Sequence, residues 1–431
     1  MRPRKKLKSR LSNTTKIMTI NTKTGRLFIE NKAASDVAKE FGTPCYVYSK
    51  NSIKTNFNRF KDAFGERKNL VCYAVKANSN IAIIRILADL GSGFDIVSGG
   101  ELSRVLAAGG DPSKTVFSGV GKTHAEIHYA LEQKIKCFNV ESESELHRIS
   151  TIARELGVEA NISLRVNPDV DAKTHPYIST GLKENKFGVD VDDAMRLYKI
   201  AAKLPNIEPT GIDCHIGSQL TEIAPMRDAA LKMVELTDAL IAENIVIDHI
   251  DFGGGLGIQY QDETPIHQEL FVKMLLEAMG SREQEILIEP GRSIVGNSGL
   301  LLTTVEYLKH GPNKNFIVVD AAMNDLARPS LYNAYHHIDS IIEEKNRPLK
   351  RYDIVGPICE TGDFLGKDRD LCVNEGDVLA IHSVGAYGMT MSSNYNSRGR
   401  APEILIDDTR AHVIRDRESI EDLFSNEQIA P

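Results

Sequence analysis

The sequence predicts an α/β protein, a (β/α)8 barrel of TIM type followed by a mostly β domain. Eight short apolar or β-branched runs alternate with amphipathic stretches between residues 70 and 289. Eight such units in about 220 residues have the count and length of a TIM-type barrel. After about residue 296 the texture changes to strands separated by Gly, Pro, Asn and Asp turn signals, with few long helices.

The eight runs are 70–75, 94–97, 115–117, 136–140, 161–166, 210–215, 246–252 and 286–289. Helical patterns fall between them at 80–90, 100–108, 142–156 and 225–243, with apolar residues three and four apart, as in Ile83, Ile84, Leu87 and Leu90. A doubly wound sheet is the alternative, and it is disfavoured because no GxGxxG follows the first run. Beyond the barrel, 300–307, 315–319, 352–355, 377–383 and 403–406 read as strands, and 26–29 and 45–48 do so ahead of it. The expected division is a basic tail over 1–20, an N-terminal segment over 21–50 joining the β domain, the barrel over 51–295 and the β domain over 296–431.

Composition narrows the class. A net charge of −7 argues against a nucleic-acid or anionic-membrane partner. No apolar run approaches the roughly 20 residues that span a bilayer. Six scattered cysteines without a CxxC pair fit reduced thiols in a cytoplasmic setting, with no metal site expected. The start, MRPRKKLKSRLSNTTK, is basic and free of acids. It reads as a solvated tail or an upstream start ahead of Met18; the functional alternative is a transit peptide.

Reactive groups of such barrels lie where the strands run out at the C-terminal face. Here the first run ends Tyr73-Ala74-Val75-Lys76-Ala77-Asn78 and the sixth His215-Ile216-Gly217-Ser218. The seventh ends Gly253-Gly254-Gly255-Leu256-Gly257, and the eighth Glu289-Pro290-Gly291-Arg292. Singly, these are a solvated lysine, a rim histidine, a tight turn and a turn with an ion pair. Converging on one rim, they meet the needs of a phosphorylated aldehyde cofactor. A lysine amine condenses with the aldehyde. Glycine-rich backbone approaches the phosphate closely, an imidazole stacks on the ring, and a carboxylate keeps the pyridine nitrogen protonated.

YAVKAN, HIGSQ, GGGLG and EPGR resemble the barrel motifs of the alanine-racemase-like pyridoxal-phosphate (PLP) enzymes, which include the ornithine, arginine and diaminopimelate decarboxylases. The likeness runs from Phe41-Gly42-Thr43-Pro44 to about Glu403, nearly the whole chain. The resemblance implies that Lys76 carries PLP and His215 stacks on its ring. Ser218, Gly254, Gly255 and the Gly291–Arg292 backbone then hold the phosphate, Tyr387 contacts it, and Glu289 faces the pyridine nitrogen. The racemases place an arginine at the Glu289 position and so weaken the electron sink.

In the second domain, Cys359-Glu360-Thr361-Gly362-Asp363 resembles the CESGD motif of the diaminopimelate decarboxylases, with Thr361 in place of serine. Ala327-Arg328-Pro329-Ser330-Leu331-Tyr332, Gly385-Ala386-Tyr387-Gly388-Met389 and Ser393-Asn394-Tyr395-Asn396 are also similar to that family. The implied reaction is decarboxylation of meso-2,6-diaminopimelate to L-lysine and CO2. Arg292, Arg328 and Tyr332 would meet the distal carboxylate and Glu360 the distal ammonium, Tyr387 would also touch the substrate, and Cys359 returns a proton to the substrate carbon. In the resembling enzymes Cys359 and Glu360 serve the other subunit's site, which implies a homodimer with shared sites. Asp95, Glu101, Arg165 and His175 sit in family-like stretches and take supporting roles. The alternatives are a polyamine-pathway decarboxylase (carboxynorspermidine, arginine or ornithine) and a non-catalytic PLP-binding paralogue.

Overall fold

The computed structural model describes residues 18–21, 25–170, 186–343 and 347–431. The basic start and the THPYISTG stretch with His175 lie outside the described residues. Eight parallel strands close into a barrel: Asn69–Ala74, Gly93–Ile96, Thr115–Phe117, Cys137–Val140, Ala160–Asn167, Ile207–Asp213, His249–Asp251 and Glu285–Ile288. The first pairs with both the second and the eighth, and the fourth pairs with the fifth, so no edge remains. A further two-residue strand, Val189–Asp190, pairs with the fifth.

Helices follow the strands and cover the barrel. Most begin on a side-chain cap: Asn80, Ser98, Thr123, Ser142 and Asp190 each accept a backbone N–H at the start of the next helix. The helix Lys50–Phe64 precedes the first strand and packs against Gln268–Met279 and Ile81–Asp89, filling the gap beside the eighth strand. Among the described residues no helix is long and apolar enough to cross a membrane.

The strand alternation places a polar column inside the barrel. Alternate residues face one side of a strand. On the fifth strand Ile162, Leu164 and Val166 pack in the main core, whereas Ser163, Arg165 and Asn167 are buried polar residues of the other face. The same parity holds for Asp213 against Ile212, Asp251 against Ile250, and Glu289 against Ile288. A small apolar cluster of Leu70, Cys72, Val116, Cys137 and Leu287 fills the inner end toward the strand starts. His249 hydrogen-bonds Ser163 there at 3.0 Å.

The second unit is a large sheet built around the long strand Gly299–His310. In order it runs Phe364–Leu371, Lys350–Val355, Asn315–Val319, Gly299–His310, Cys45–Ser49, Glu403–Asp407 and Arg410–Arg415. Val378–Ile381 also pairs with Gly299–His310 and carries Ile338–Ser340. Cys45–Ser49, from before the barrel, lies antiparallel to Gly299–His310 and parallel to Glu403–Asp407. Arg26–Ile29 belongs to a separate three-stranded sheet with Met18–Asn21 and Lys32–Ala33. It docks through the Leu27 N–H on the Ile341 carbonyl at 2.8 Å, and Leu27 and Ile29 pack with Val47, Leu300 and Ile404.

One junction sets the β sheet against the mouth of the barrel. The Gly385 N–H donates to the Gly296 carbonyl at 3.0 Å, and the Gly385 carbonyl accepts from Asn78 Nδ2 at 3.1 Å. Two residues on, the Tyr387 N–H donates to the Ala77 carbonyl at 2.8 Å. A Cβ at Gly385 would stand 1.9 Å from the Val295 carbonyl oxygen, so only glycine fits. Gly385→Ala is therefore expected to lower stability by about 1–3 kcal/mol, read as a lower urea midpoint. An unchanged midpoint would mean that the two units do not depend on this contact.

Candidate active site

The residues after the first strand are fixed on all sides. Val75–Ala77 forms a single helical turn that lifts Lys76 to the barrel mouth. The Tyr73 hydroxyl donates to the Asn78 carbonyl at 2.9 Å. Asn80 caps the following helix and also donates to Glu403 at 2.8 Å, whose other oxygen accepts from the Tyr48 hydroxyl at 2.7 Å. The Lys76 ammonium meets the carboxylate of Asp95, a fully buried residue of the second strand. Burial alone would depress the Lys76 pKa, but Asp95, Glu289 and Tyr387 more than offset it and hold the amine above its usual value. The side chain remains 36% exposed, toward the open cavity.

That cavity, about 380 Å³, lies at the C-terminal face between barrel and β sheet. It is lined by Lys76, His215, Ser218, Gly255, Glu289, Gly291, Arg292, Arg328, Tyr332 and Tyr387 together with Tyr260, Phe187 and Met391. Such a volume with a few convergent polar groups is that of a small-molecule site. Ten of the residues marked out in the sequence thus meet in one space.

His215 follows the sixth strand and accepts the Gly254 N–H on Nδ1 at 3.2 Å. This leaves Nδ1 unprotonated. Burial, then the charges of Arg165 and Lys76, holds the imidazole well below its usual pKa. Gly254 does not line the cavity; a Cβ there would stand 2.2 Å from the Glu289 carbonyl oxygen. Gly255 has φ +96°, and its Cβ would stand 2.3 Å from the Gly217 carbonyl oxygen. The His215 and Gly253 loops therefore pack backbone on backbone.

Glu289 accepts from Asn139 Nδ2 at 3.3 Å and the Ser118 hydroxyl at 3.4 Å. Below it lie Asp213 and Asp251, and the three offer carboxylate oxygens within 4.8 Å of one another. Burial and mutual repulsion hold Glu289 and Asp213 well above the usual carboxylate range. Burial likewise pushes Asp251 up to about 7. The supporting residues lie around this group. Arg165 contacts Glu141 at 3.3 Å and sits over the Phe187 ring, and Glu101 accepts the Val97 N–H at 2.7 Å.

At the other side of the cavity stand two buried guanidinium groups. Arg292 donates to the Tyr260 hydroxyl at 2.5 Å and to Ser218 at 3.0 Å, and lies 4.9 Å from the Tyr387 ring centre. Arg328 lies 4.6 Å from the Tyr260 ring centre and donates to His336 Nε2 at 3.1 Å. Neither has a carboxylate partner among the described residues. Tyr387 carries φ +56°, a left-handed conformation that costs a non-glycine residue roughly 1–3 kcal/mol and is retained mostly at functional sites.

Cys359 and Glu360 do not reach this cavity in their own chain. Cys359 is exposed, its N–H donating to Asn396 at 3.1 Å, and Glu360 accepts from the Tyr395 hydroxyl. Tyr260 and His336 were absent from the sequence reading. Neither belongs to a motif at a strand end, and only the fold brings them beside the two arginines.

The donor set fits PLP. An amine and a carboxyl face one cavity for the aldehyde and the ring nitrogen. A close-packed glycine backbone with Ser218 is available for a phosphate. Residues 50–296 match the family described as pyridoxal-dependent decarboxylase, pyridoxal binding domain. The chain belongs to the pyridoxal-dependent decarboxylases.

Relatives within that class include diaminopimelate decarboxylases. That of Pseudomonas aeruginosa is 54% identical over 413 residues, covering 96% of this chain and 99% of the relative. That of Neisseria meningitidis serogroup A is 56% identical over 401 residues, covering 93% and 98%. Among solved structures, the Helicobacter pylori diaminopimelate decarboxylase complexed with L-lysine superposes with a TM-score of 0.88 at 46% identity, over 91% of this chain and 98% of that one. The M. jannaschii enzyme, also with L-lysine, gives 0.91 at 42% identity over 96% and 98%.

The carboxylate group makes a pH prediction. Asp251 has a folded-state pKa of about 7 against an ordinary 3.8. The fold therefore binds its proton more tightly than the unfolded chain does. That stability is present in full below about 4, where both states are protonated, and is lost progressively as pH rises to about 7. Asp251→Asn should flatten this dependence, raising the melting temperature of cofactor-free protein more at pH 8 than at pH 5. Equal shifts at both pH values would contradict it.

Proposed function

We propose that this protein decarboxylates meso-2,6-diaminopimelate to L-lysine and CO2, the last step of lysine biosynthesis, as a cytoplasmic homodimer with shared sites. The observation that carries the reading is the pair Arg292 and Arg328, two buried guanidinium groups facing Lys76 across one cavity. A two-ended amino acid presents one α-carbon to the lysine and a distal carboxylate to the arginines. Ornithine or arginine lacks that carboxylate and would leave the guanidinium groups without an anion, at roughly 1–3 kcal/mol each. The two lysine-bound relatives support the same product.

The bound cofactor supplies an electron sink for the pair left on the α-carbon when CO2 departs. Lys76 would hold its aldehyde, and that amine is paired with Asp95. His215 packs on the ring, held by the Gly254 N–H; its neutrality adds no cation beside Lys76. Glu289 meets the pyridine nitrogen. Burial and the neighbouring carboxylates hold Glu289 above its usual pKa, and a cation facing it would lower that pKa. Ser218, Gly255, the Gly291–Arg292 backbone and Tyr387 receive the phosphate. Arg328 and Tyr332, with Arg292, take the distal carboxylate. Cys359 of the partner subunit returns a proton to the α-carbon, and Glu360 of the partner subunit takes the distal ammonium. The exposure of Cys359 on its own chain supports this division of labour.

Lys76→Ala should abolish both turnover and the cofactor's lysine-linked absorption band; a retained band would remove the lysine assignment. Mixed in equal amounts, Lys76→Ala and Cys359→Ala subunits should regain about a quarter of wild-type activity, since half the dimers then hold one intact site. No recovery would place Cys359 in its own chain's site. Arg328→Ala should raise KM for diaminopimelate about ten-fold or more while PLP affinity holds. A fall in PLP affinity instead would assign Arg328 to the cofactor.

A further inference from the structure

Arg328 is oriented by a residue outside every motif. It opens the short helix Arg328–Tyr332 and is buried, so the direction of its guanidinium is set by its neighbours. Nη1 donates to Nε2 of His336 at 3.1 Å. A guanidinium has only donors, so Nε2 carries the lone pair and the proton sits on Nδ1. Nδ1 in turn donates to the His382 carbonyl at 2.8 Å. Both ring nitrogens are therefore committed. The ring is fully buried, and burial followed by the Arg328 charge holds its pKa at about 3. It stays neutral across the physiological range.

Tyr260 completes the frame. Its ring lies under Arg328 at 4.6 Å, meets the His336 ring edge-on at 5.3 Å and 83°, and its hydroxyl accepts from Arg292. The His336 carbonyl accepts from Arg369 at 3.1 Å, which fixes the backbone on that side.

We propose that His336 is a positioning residue that sets the preference for a substrate with a distal carboxylate, by holding Arg328 in place with a neutral acceptor. The inference rests on the functional reading above. The choice of imidazole has a physical reason. An aspartate or glutamate there would orient Arg328 equally well, but would also cancel the charge that the ligand carboxylate needs. A neutral acceptor orients the fork and leaves its charge for the substrate. Holding the long side chain in its bound rotamer before binding also lowers the ordering cost of complex formation.

The test is steady-state kinetics on PLP-saturated wild type, His336→Leu and His336→Gln, with PLP affinity read from cofactor absorption. Leucine removes the acceptor; glutamine keeps a carbonyl oxygen within reach of Arg328. His336→Leu should raise KM for meso-diaminopimelate about ten-fold while kcat and PLP affinity stay within about two-fold. His336→Gln should keep KM within about three-fold of wild type. An unchanged KM in His336→Leu overturns the proposal, and so does a parallel loss of PLP affinity. If His336→Leu yields no folded protein, His336→Asn takes its place. Asparagine still reaches the His382 carbonyl but falls short of Arg328, so equal KM values for the Asn and Gln variants overturn the proposal. Wild type inactive on diaminopimelate overturns the functional reading and this inference with it, an outcome visible before any variant is compared.

Discussion

Lys76 and Asp95 form an ion pair inside a barrel where Asp213, Asp251 and Glu289 are also buried, and Arg165 is the second cation that balances them. Like charges packed this closely in a region of low dielectric cannot all ionise. Glu289, Asp213 and Asp251 are accordingly held above the ordinary carboxylate range. The groups around the mouth fit that condition. His215 is neutral, so it does not compete with Lys76 for the carboxylates. The guanidinium groups of Arg292 and Arg328 are stacked on Tyr387 and Tyr260.

The β sheet takes part in the same arrangement. Arg328 and Tyr332, on the helix Arg328–Tyr332, and Tyr387, in the loop after Val378–Ile381, come from that unit, and the close approach of Gly385 to Val295 and Gly299 lets the Tyr387 N–H reach the Ala77 carbonyl. The strand Cys45–Ser49, contributed from ahead of the barrel, ties the sheet to the helix Lys50–Phe64 that follows it.

Much of the fold was legible because strand and helix periods are strong in this chain. The eight barrel runs coincide with eight observed strands, most within a residue or two at each end. The sixth strand starts earlier than its run, at Ile207, and the seventh run, 246–252, yields only His249–Asp251, because Val246 is 66% exposed and lies outside the ladder. In the second unit, Phe364–Leu371, Arg410–Arg415 and Ile338–Ser340 were not read as strands. Phe364–Leu371 carries charges at four of its eight positions and Arg410–Arg415 at two of its six, as edge strands do, and so they show little apolar pattern. At the site, Lys76, His215 and Glu289 were legible because they end strands, and Arg328 and Tyr387 because they sit in recognisable motifs. Tyr260 and His336 were not. They act through side-chain contacts across the fold, and neither the GIQYQ stretch nor the AYHHID stretch has a spacing that points to the arginines.

The most direct measurement of the central claim is CO2 release by purified protein with added PLP, comparing meso-diaminopimelate with L-lysine, ornithine and arginine. Release from diaminopimelate alone, with lysine as the product, is the predicted result. Release from ornithine or arginine, with none from diaminopimelate, would contradict the two-ended reading of the cavity while leaving the cofactor site intact.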